Sequence, residues 1–171
     1  KKAKNSDEKK LRSFNSLKGL NFIEYPELGF QELDKIIKKI LLLSGGILLI
    51  DYGYLQSQNL NTLQSIRKHK KNDILKNIYK ADITYLVNFN LLSEFFFRNN
   101  LKVKKVVTQK FFLEKMGIVE RAKILKKNMN KLQVNNLERR LHRLLDRKMM
   151  GDLFKVIFAF KSNNDDILGF D

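Results

Sequence analysis

Apolar residues recur along this chain at two different spacings, and the change from one to the other marks out its elements. Leu33, Ile36, Ile37, Ile40 and Leu41 return every three or four residues while Lys35, Lys38 and Lys39 point away, which predicts an amphipathic helix. Ser44-Gly45-Gly46 stops it. Ile47, Leu48, Leu49 and Ile50 then run unbroken to Asp51 and Gly53. A strand apolar on successive residues is covered on both faces, as in the middle of a parallel sheet, so an interior strand is predicted here. Upstream, Leu20 to Tyr25 has strand character and Pro26 closes it. Downstream, Leu55 to Asn61 reads as a polar loop, and the stretch TLQSIRKHKK fits a short helix or an irregular segment equally well. A bulky stripe of Leu86, Phe89, Leu92, Phe95 and Phe96 predicts a helix from about Thr84 to Arg98. A strand over Val103 to Thr108, a helix from Phe111 to about Leu125 with a break at Gly117, a Leu-rich helix from Leu132 to Arg147 and a last strand from Leu153 to Phe160 complete the pattern. Residues 1–18 are polar and aperiodic and predict a flexible lead-in; 19–161 form the folded unit, and 162–171 a loose tail.

Strands separated by helical segments imply an α/β fold, a sheet covered by helices. Ligands of such sheets bind outside the carboxyl ends of the strands. That rule selects Asp51, Tyr52, Gly53 and Tyr54 as candidate site residues. The competing reading is a strand-ending turn in which Asp51 caps the next segment and Gly53 supplies a positive φ.

Composition removes several functions. The 171 residues hold no Cys and two His, which excludes disulfide scaffolds, cysteine nucleophiles and zinc knuckles and leaves no basis for a histidine-rich metal site. The longest apolar run, Ile40 to Ile50, is far short of the roughly 20 residues that span a bilayer. The amino terminus KKAKNSDEKK lacks the apolar stretch of a secretory signal. Starting at Lys1, the chain fits a piece cut from something longer. The net charge of +16 invites a nucleic-acid reading, but Lys outnumbers Arg 26 to 8 and the basic residues are scattered along the whole length. Specific nucleic-acid contacts lean on Arg forks and stacked aromatics, so no specific nucleic-acid partner is expected.

Five blocks in order, GGILLIDYGY, TLQSIRKH, ADITYLVNF, VTQKFFLEKMGI and MGDLFKV, resemble the successive signature blocks of the MidA family over about Phe22 to Phe160. Members of that family are S-adenosylmethionine-dependent methyltransferases, and the mitochondrial member assembles respiratory complex I. The resemblance implies the carboxyl-terminal half of a Rossmann-like methyltransferase domain with a mixed sheet. GILLIDYG would be the fifth strand of that sheet, KVKKVVT the sixth, and LFKVIFAF the seventh, inserted antiparallel between its neighbours. The partial methyltransferase domain would cover residues 19–161. In the family the cofactor sits on a glycine-rich turn after the first strand, where backbone amides approach it closely. No G-x-G occurs among the eight glycines here, and the family's N-E-x-x-D-A-L-P block is also missing. The resemblance therefore implies that S-adenosylmethionine serves the complete enzyme and that this chain binds none by itself.

What the resemblance implies for chemistry starts from the acceptor. A guanidinium is cationic and wants carboxylates that clamp it and hold the reacting nitrogen. Asp51 is the carboxylate best placed for this, with Glu24 second; Tyr52 and Tyr54 either wall the acceptor channel, where aromatic faces suit a cation, or simply pack. Arg67 and His69 fall in a block resembling the family's T-L-Q-x-x-R-x-H and are candidates for substrate binding, against a purely structural loop. The expected partners are a protein substrate, a complex I subunit in the family's mitochondrial case, and the missing amino-terminal half. The expected location is the bacterial cytoplasm, or the mitochondrial matrix if the source is eukaryotic. A non-catalytic remnant or protein-interaction module is the alternative.

Overall fold

A computed structural model describes residues 5–56, 58–162 and 166–170. Helix α1 (Asn5–Arg12) and a 3-10 turn (Asn15–Leu17) lead into α2 (Glu27–Leu43), which feeds the long strand β1 (Gly45–Tyr54). A hairpin of β2 (Gln64–Arg67) and β3 (Lys70–Asn72) follows, then β4 (Asp82–Thr84) and β5 (Val87–Asn88) before α3 (Phe89–Arg98). The remainder is β6 (Lys102–Val103), β7 (Val107–Thr108), α4 (Gln109–Lys115), α5 (Ile118–Lys126), α6 (Lys131–Leu145) and β8 (Phe154–Lys161). Gly117 separates α4 from α5 in the left-handed conformation, as the pattern predicted.

The main sheet has the order β5-β1-β8-β6, with β7 also paired to β8. β8 runs antiparallel between β1 and the β6–β7 edge, in continuous register with β1 from Gly45↔Lys161 to Tyr52↔Phe154. This is the α/β architecture expected, with the last strand inserted antiparallel between its neighbours. On one face Ile47, Leu49, Ile157 and Ala159 meet the core of Phe30 and Ile37 from α2 and Phe89, Leu91 and Phe96 from α3. On the other, Val156 and Phe158 meet Phe112 of α4 and Phe170.

The strand closed on both faces is β8, in which Val156, Ile157 and Ala159 are fully buried. β1 was expected to hold that place. Instead Leu48 and Ile50 are 44 % and 43 % exposed, because α4 covers β8 and stops short of them. The predicted strand at Leu20 to Tyr25 is not formed. With no strand beside it, that segment is tied by side chains: Asn59 Oδ1 accepts the N–H groups of Asn21 and Phe22 at 2.7 and 3.2 Å. TLQSIRKHKK, left open between helix and irregular chain, forms most of the β2–β3 hairpin.

Both ends carry more structure than their polarity suggested. Phe14 and Leu17 are buried in the main core, and Glu94 of α3 receives the N–H groups of Asn15 and Ser16, both at 2.8 Å. Burial alone would raise the Glu94 carboxyl. The hydrogen bonds from Ser16, Asn15 and Arg98 outweigh it and hold the carboxyl below its ordinary value. At the other end Ile167 and Phe170 pack on Phe112 and Phe158.

Candidate active site

β1 delivers its last four residues to one end of the sheet, and side-chain alternation sends Asp51 and Tyr52 to opposite faces. Asp51 lies exposed, its Oδ1 accepting the N–H of Tyr52 at 2.7 Å. Across the sheet it faces Lys155, and Thr108 faces Lys155 from the other side. Burial lowers the Lys155 ammonium below its ordinary value, opposed in part by Asp152, and its Nζ donates to the Asp152 carbonyl. Tyr52 stands edge-on to Phe154 at 5.7 Å and lines a cleft of about 1000 Å³ with Leu60, Thr62, Leu63, Leu86 and Leu153.

The strand-ending-turn reading gave Gly53 a positive φ, and it is not among the positive-φ glycines. Its role is close approach: a Cβ there would lie 2.2 Å from the Val87 carbonyl oxygen and 2.8 Å from the Phe89 ring. At this point β5 pairs parallel with β1, Gly53↔Val87 and Tyr54↔Asn88.

Glu24 and Tyr54 are brought together. The Tyr54 hydroxyl titrates above its ordinary value through burial first and the Glu24 charge second, with an opposing hydrogen bond to the Asn88 side chain. Glu24 is half-buried, and both of its oxygens are held by one residue. Thr62 donates its N–H to Oε1 at 3.0 Å and its hydroxyl to Oε2 at 2.6 Å, while its Oγ1 accepts the Leu86 N–H at 3.0 Å. Buried Thr62 thereby joins three segments far apart in sequence. Sequence reasoning noted Thr62 only as part of the T-L-Q block and passed over Asn59 and Asn88; nothing local to these residues signals their partners.

Arg67 and His69 lie elsewhere, in the three-stranded sheet β3-β2-β4. Arg67 Nη1 donates to Asn77 Oδ1 at 2.8 Å, within an asparagine network in which Asn72 bonds Ser65 Oγ and the carbonyls of Asp73 and Lys76. His69 is exposed in the two-residue hairpin turn, where it and Lys68 both have positive φ. Among the described residues no group of three or more His, Cys, Asp or Glu is arranged to hold a metal ion, and no helix is long and apolar enough to cross a membrane.

The fold is thus that of an α/β protein whose last strand is antiparallel within a mixed, helix-covered sheet. A sequence profile for putative S-adenosyl-L-methionine-dependent methyltransferases matches residues 3–107, and the chain belongs to that family. It is 30 % identical over 148 residues to the mitochondrial protein arginine methyltransferase NDUFAF7 homolog of Caenorhabditis elegans, a match covering 84 % of this chain and 33 % of that protein. Mitochondrial NDUFAF7 of Xenopus tropicalis is 31 % identical over 124 residues, covering 72 % of this chain and 28 % of the relative. The chain therefore spans about a third of the length of these relatives. Two solved structures from Burkholderia thailandensis share the fold. An uncharacterized COG1565 superfamily protein gives a TM-score of 0.74 at 20 % identity, over 99 % of this chain and 45 % of its own. A COG1565 member and likely methyl transferase bound to S-adenosyl-homocysteine gives 0.73 at 19 %, over 99 % and 43 %.

Proposed function

We propose that this chain is the carboxyl-terminal part of an S-adenosylmethionine-dependent protein arginine methyltransferase resembling the complex I assembly factor. In this reading residues 19–161 are the partial methyltransferase domain, and the chain supplies the acceptor side of the reaction. The cofactor side comes from the amino-terminal half of the sheet, as a separate chain or within a longer product. The observation that carries this reading is the open edge of β1. Opposite β8, β1 has a partner among the described residues only at Gly53 and Tyr54, so Gly45 to Tyr52 present an apolar strand edge of the kind proteins normally cover. A parallel strand laid there would continue the sheet.

In this reading the cofactor is held outside the described residues. The family's cofactor turn needs glycines at which backbone approaches the ligand, and Gly53, at the carboxyl end of β1, is already closed by Val87 and Phe89. The cofactor, bound by the other half, would supply an electrophilic methyl group. The residues of this chain would position the acceptor. Asp51 would hold the guanidinium and keep its reacting nitrogen in line, with Glu24 and the neighbouring Tyr54 as the second candidate place; Tyr52, on the face opposite Asp51, would line the adjoining cleft, and Arg67 and His69 would contact the substrate protein. NDUFAF7 relatives are named protein arginine methyltransferases, which favours a protein acceptor, a complex I subunit in the mitochondrial case. The mitochondrial relatives favour the matrix in a eukaryotic source and the cytoplasm in a bacterial one.

The test is methyl transfer. Co-expression with an amino-terminal half that carries the G-x-G and N-E-x-x-D-A-L-P blocks should give a stable complex that transfers radiolabelled methyl to an arginine protein, with loss on Asp51→Asn. Absence of a complex with any such half, with no transfer, overturns the proposal.

A further inference from the structure

The loop between β3 and β4, residues 73–80, spends its polar side chains on holding itself in place and leaves its large apolar ones in water. Asn72 Nδ2 donates to the Oγ of buried Ser65 and to the carbonyls of Asp73 and Lys76, at 3.0, 2.7 and 2.8 Å. Asn72 Oδ1 in turn accepts from Asn77 Nδ2 at 2.8 Å, Arg67 donates to Asn77 Oδ1, and Asp73 Oδ1 takes the Leu75 N–H at 3.1 Å. Asn77 and Tyr79 both have positive φ, 54° and 65°, a conformation that costs a tyrosine energy and that this clasp maintains. On the fixed loop Ile78 is 63 % exposed and Tyr79 101 %, as open to water as in an extended peptide, and Ile83 of β4 is exposed beside it in sequence. Residues 67–83 carry six Lys or Arg against Asp73 and Asp82. Bulky apolar side chains held out of an ordered loop mark a contact surface.

We infer that this loop is a docking tip for an anionic lipid surface, with Ile78 and Tyr79 entering the boundary between headgroups and acyl chains and the neighbouring lysines facing the lipid charges. The inference goes beyond the methyltransferase reading and stands without it. A tyrosine ring, apolar in its body and polar at its hydroxyl, suits that boundary. Lysines close to an anionic bilayer add electrostatic attraction, and an apolar tip combined with basic residues supplies the two signals that surface anchoring needs. A fluid bilayer receives single protruding side chains without a matching hole, whereas a protein partner must offer a pocket for each. Nucleic acid would use the lysines and the ring but leave Ile78 and Ile83 in water. The asparagine clasp holds the tip in shape before it docks, so little further ordering is lost on binding.

The chain has no Trp, so Tyr79→Trp places a single fluorescent reporter at the tip, and Phe97→Trp, at an exposed position on α3, is its control. The probe is vesicles of phosphatidylcholine with about one-third phosphatidylserine. On binding, Tyr79→Trp emission should shift to the blue and be quenched by brominated acyl chains, while Phe97→Trp stays unquenched. Pure phosphatidylcholine vesicles should bind about tenfold or more weakly, and salt at about 0.5 M should weaken the anionic case. A chain of charge +16 can also adsorb by charge alone, and a charge-neutral change separates the two. Ile78→Ser with Tyr79→Asn keeps every charge, Asn tolerates the left-handed conformation, and binding should weaken about tenfold. Lys70→Gln with Lys80→Gln should weaken binding more than Lys123→Gln with Lys127→Gln at α5. Vesicle binding without quenching of Tyr79→Trp, no effect of the charge-neutral change, equal effects of the two lysine pairs, or no binding at about 1 mM lipid overturns the inference. So does a blue shift of Tyr79→Trp caused by an amino-terminal half of the family enzyme or by single-stranded DNA in place of vesicles. Tyr79 is fully exposed, so its replacement leaves the fold intact. Failure of vesicle binding would leave the methyltransferase reading standing.

Discussion

The two edges of β1 are made of the same residues and have opposite fates. Towards β8 every residue from Gly45 to Tyr52 has a partner in register, and Val156, Ile157 and Ala159 of the strand beyond are fully buried. On the other side pairing among the described residues is confined to Gly53 and Tyr54, and Leu48 and Ile50 on the adjoining face stay half open to water. An apolar strand thus serves two purposes at once. One edge and face hold this chain together, and the rest presents backbone donors, acceptors and apolar side chains that its own elements do not cover. Stability should depend steeply on the closed side and hardly at all on the open one.

Substitutions can break that contrast or sharpen it. The largest effect is expected on the closed side, where Ile157→Ala in fully buried β8 should cost about 2–5 kcal/mol in urea unfolding. Gly53→Ala comes next. The new methyl would collide with the Val87 carbonyl and the Phe89 ring, forcing β5 away from β1 at a cost of about 1–3 kcal/mol, and should open the strand edge to its end. Glu94→Gln should cost about 2 kcal/mol at pH 7 by weakening the charge-assisted bonds to Asn15 and Ser16. The folded carboxyl lies below its unfolded value, so its contribution is fully present above the ordinary carboxylate range and is lost as pH falls through the lowered folded value. Urea midpoints should therefore drop for the parent chain as pH falls below the ordinary carboxylate range and lose that part of their pH dependence in the variant. Smallest of all, Ile50→Lys on the open face should change monomer stability by no more than about 0.5 kcal/mol. Its readout is association: sedimentation should show less self-association than the parent, since charge on an exposed strand discourages edge-to-edge pairing.

The contrast also shows what the amino-acid pattern discloses. Periodic segments with strong local signals, α2, the long strand, the Gly117 break and the last strand, were legible because period and turn chemistry are local, whereas the antiparallel placement of the last strand was implied only by the family resemblance. The buried lead-in was not. Phe14 and Leu17 are two apolar residues in a polar stretch, and what orders them is Glu94, some eighty positions away. The segment around Glu24 reads as strand by composition and becomes a tethered loop because its partners are the side chains of Asn59 and Thr62. Glu24 was recognised as a carboxylate of interest without the threonine that fixes it, and Asp51 was found from its place at a strand end. Arg67 was read as a binding residue, and its visible partner is Asn77.

The central claim is that the acceptor side lies in this chain while the cofactor must be held by residues outside it. Isothermal titration of the chain alone with S-adenosylhomocysteine measures this most directly. No saturable heat up to millimolar ligand is the predicted result; binding at a stoichiometry near one would contradict it.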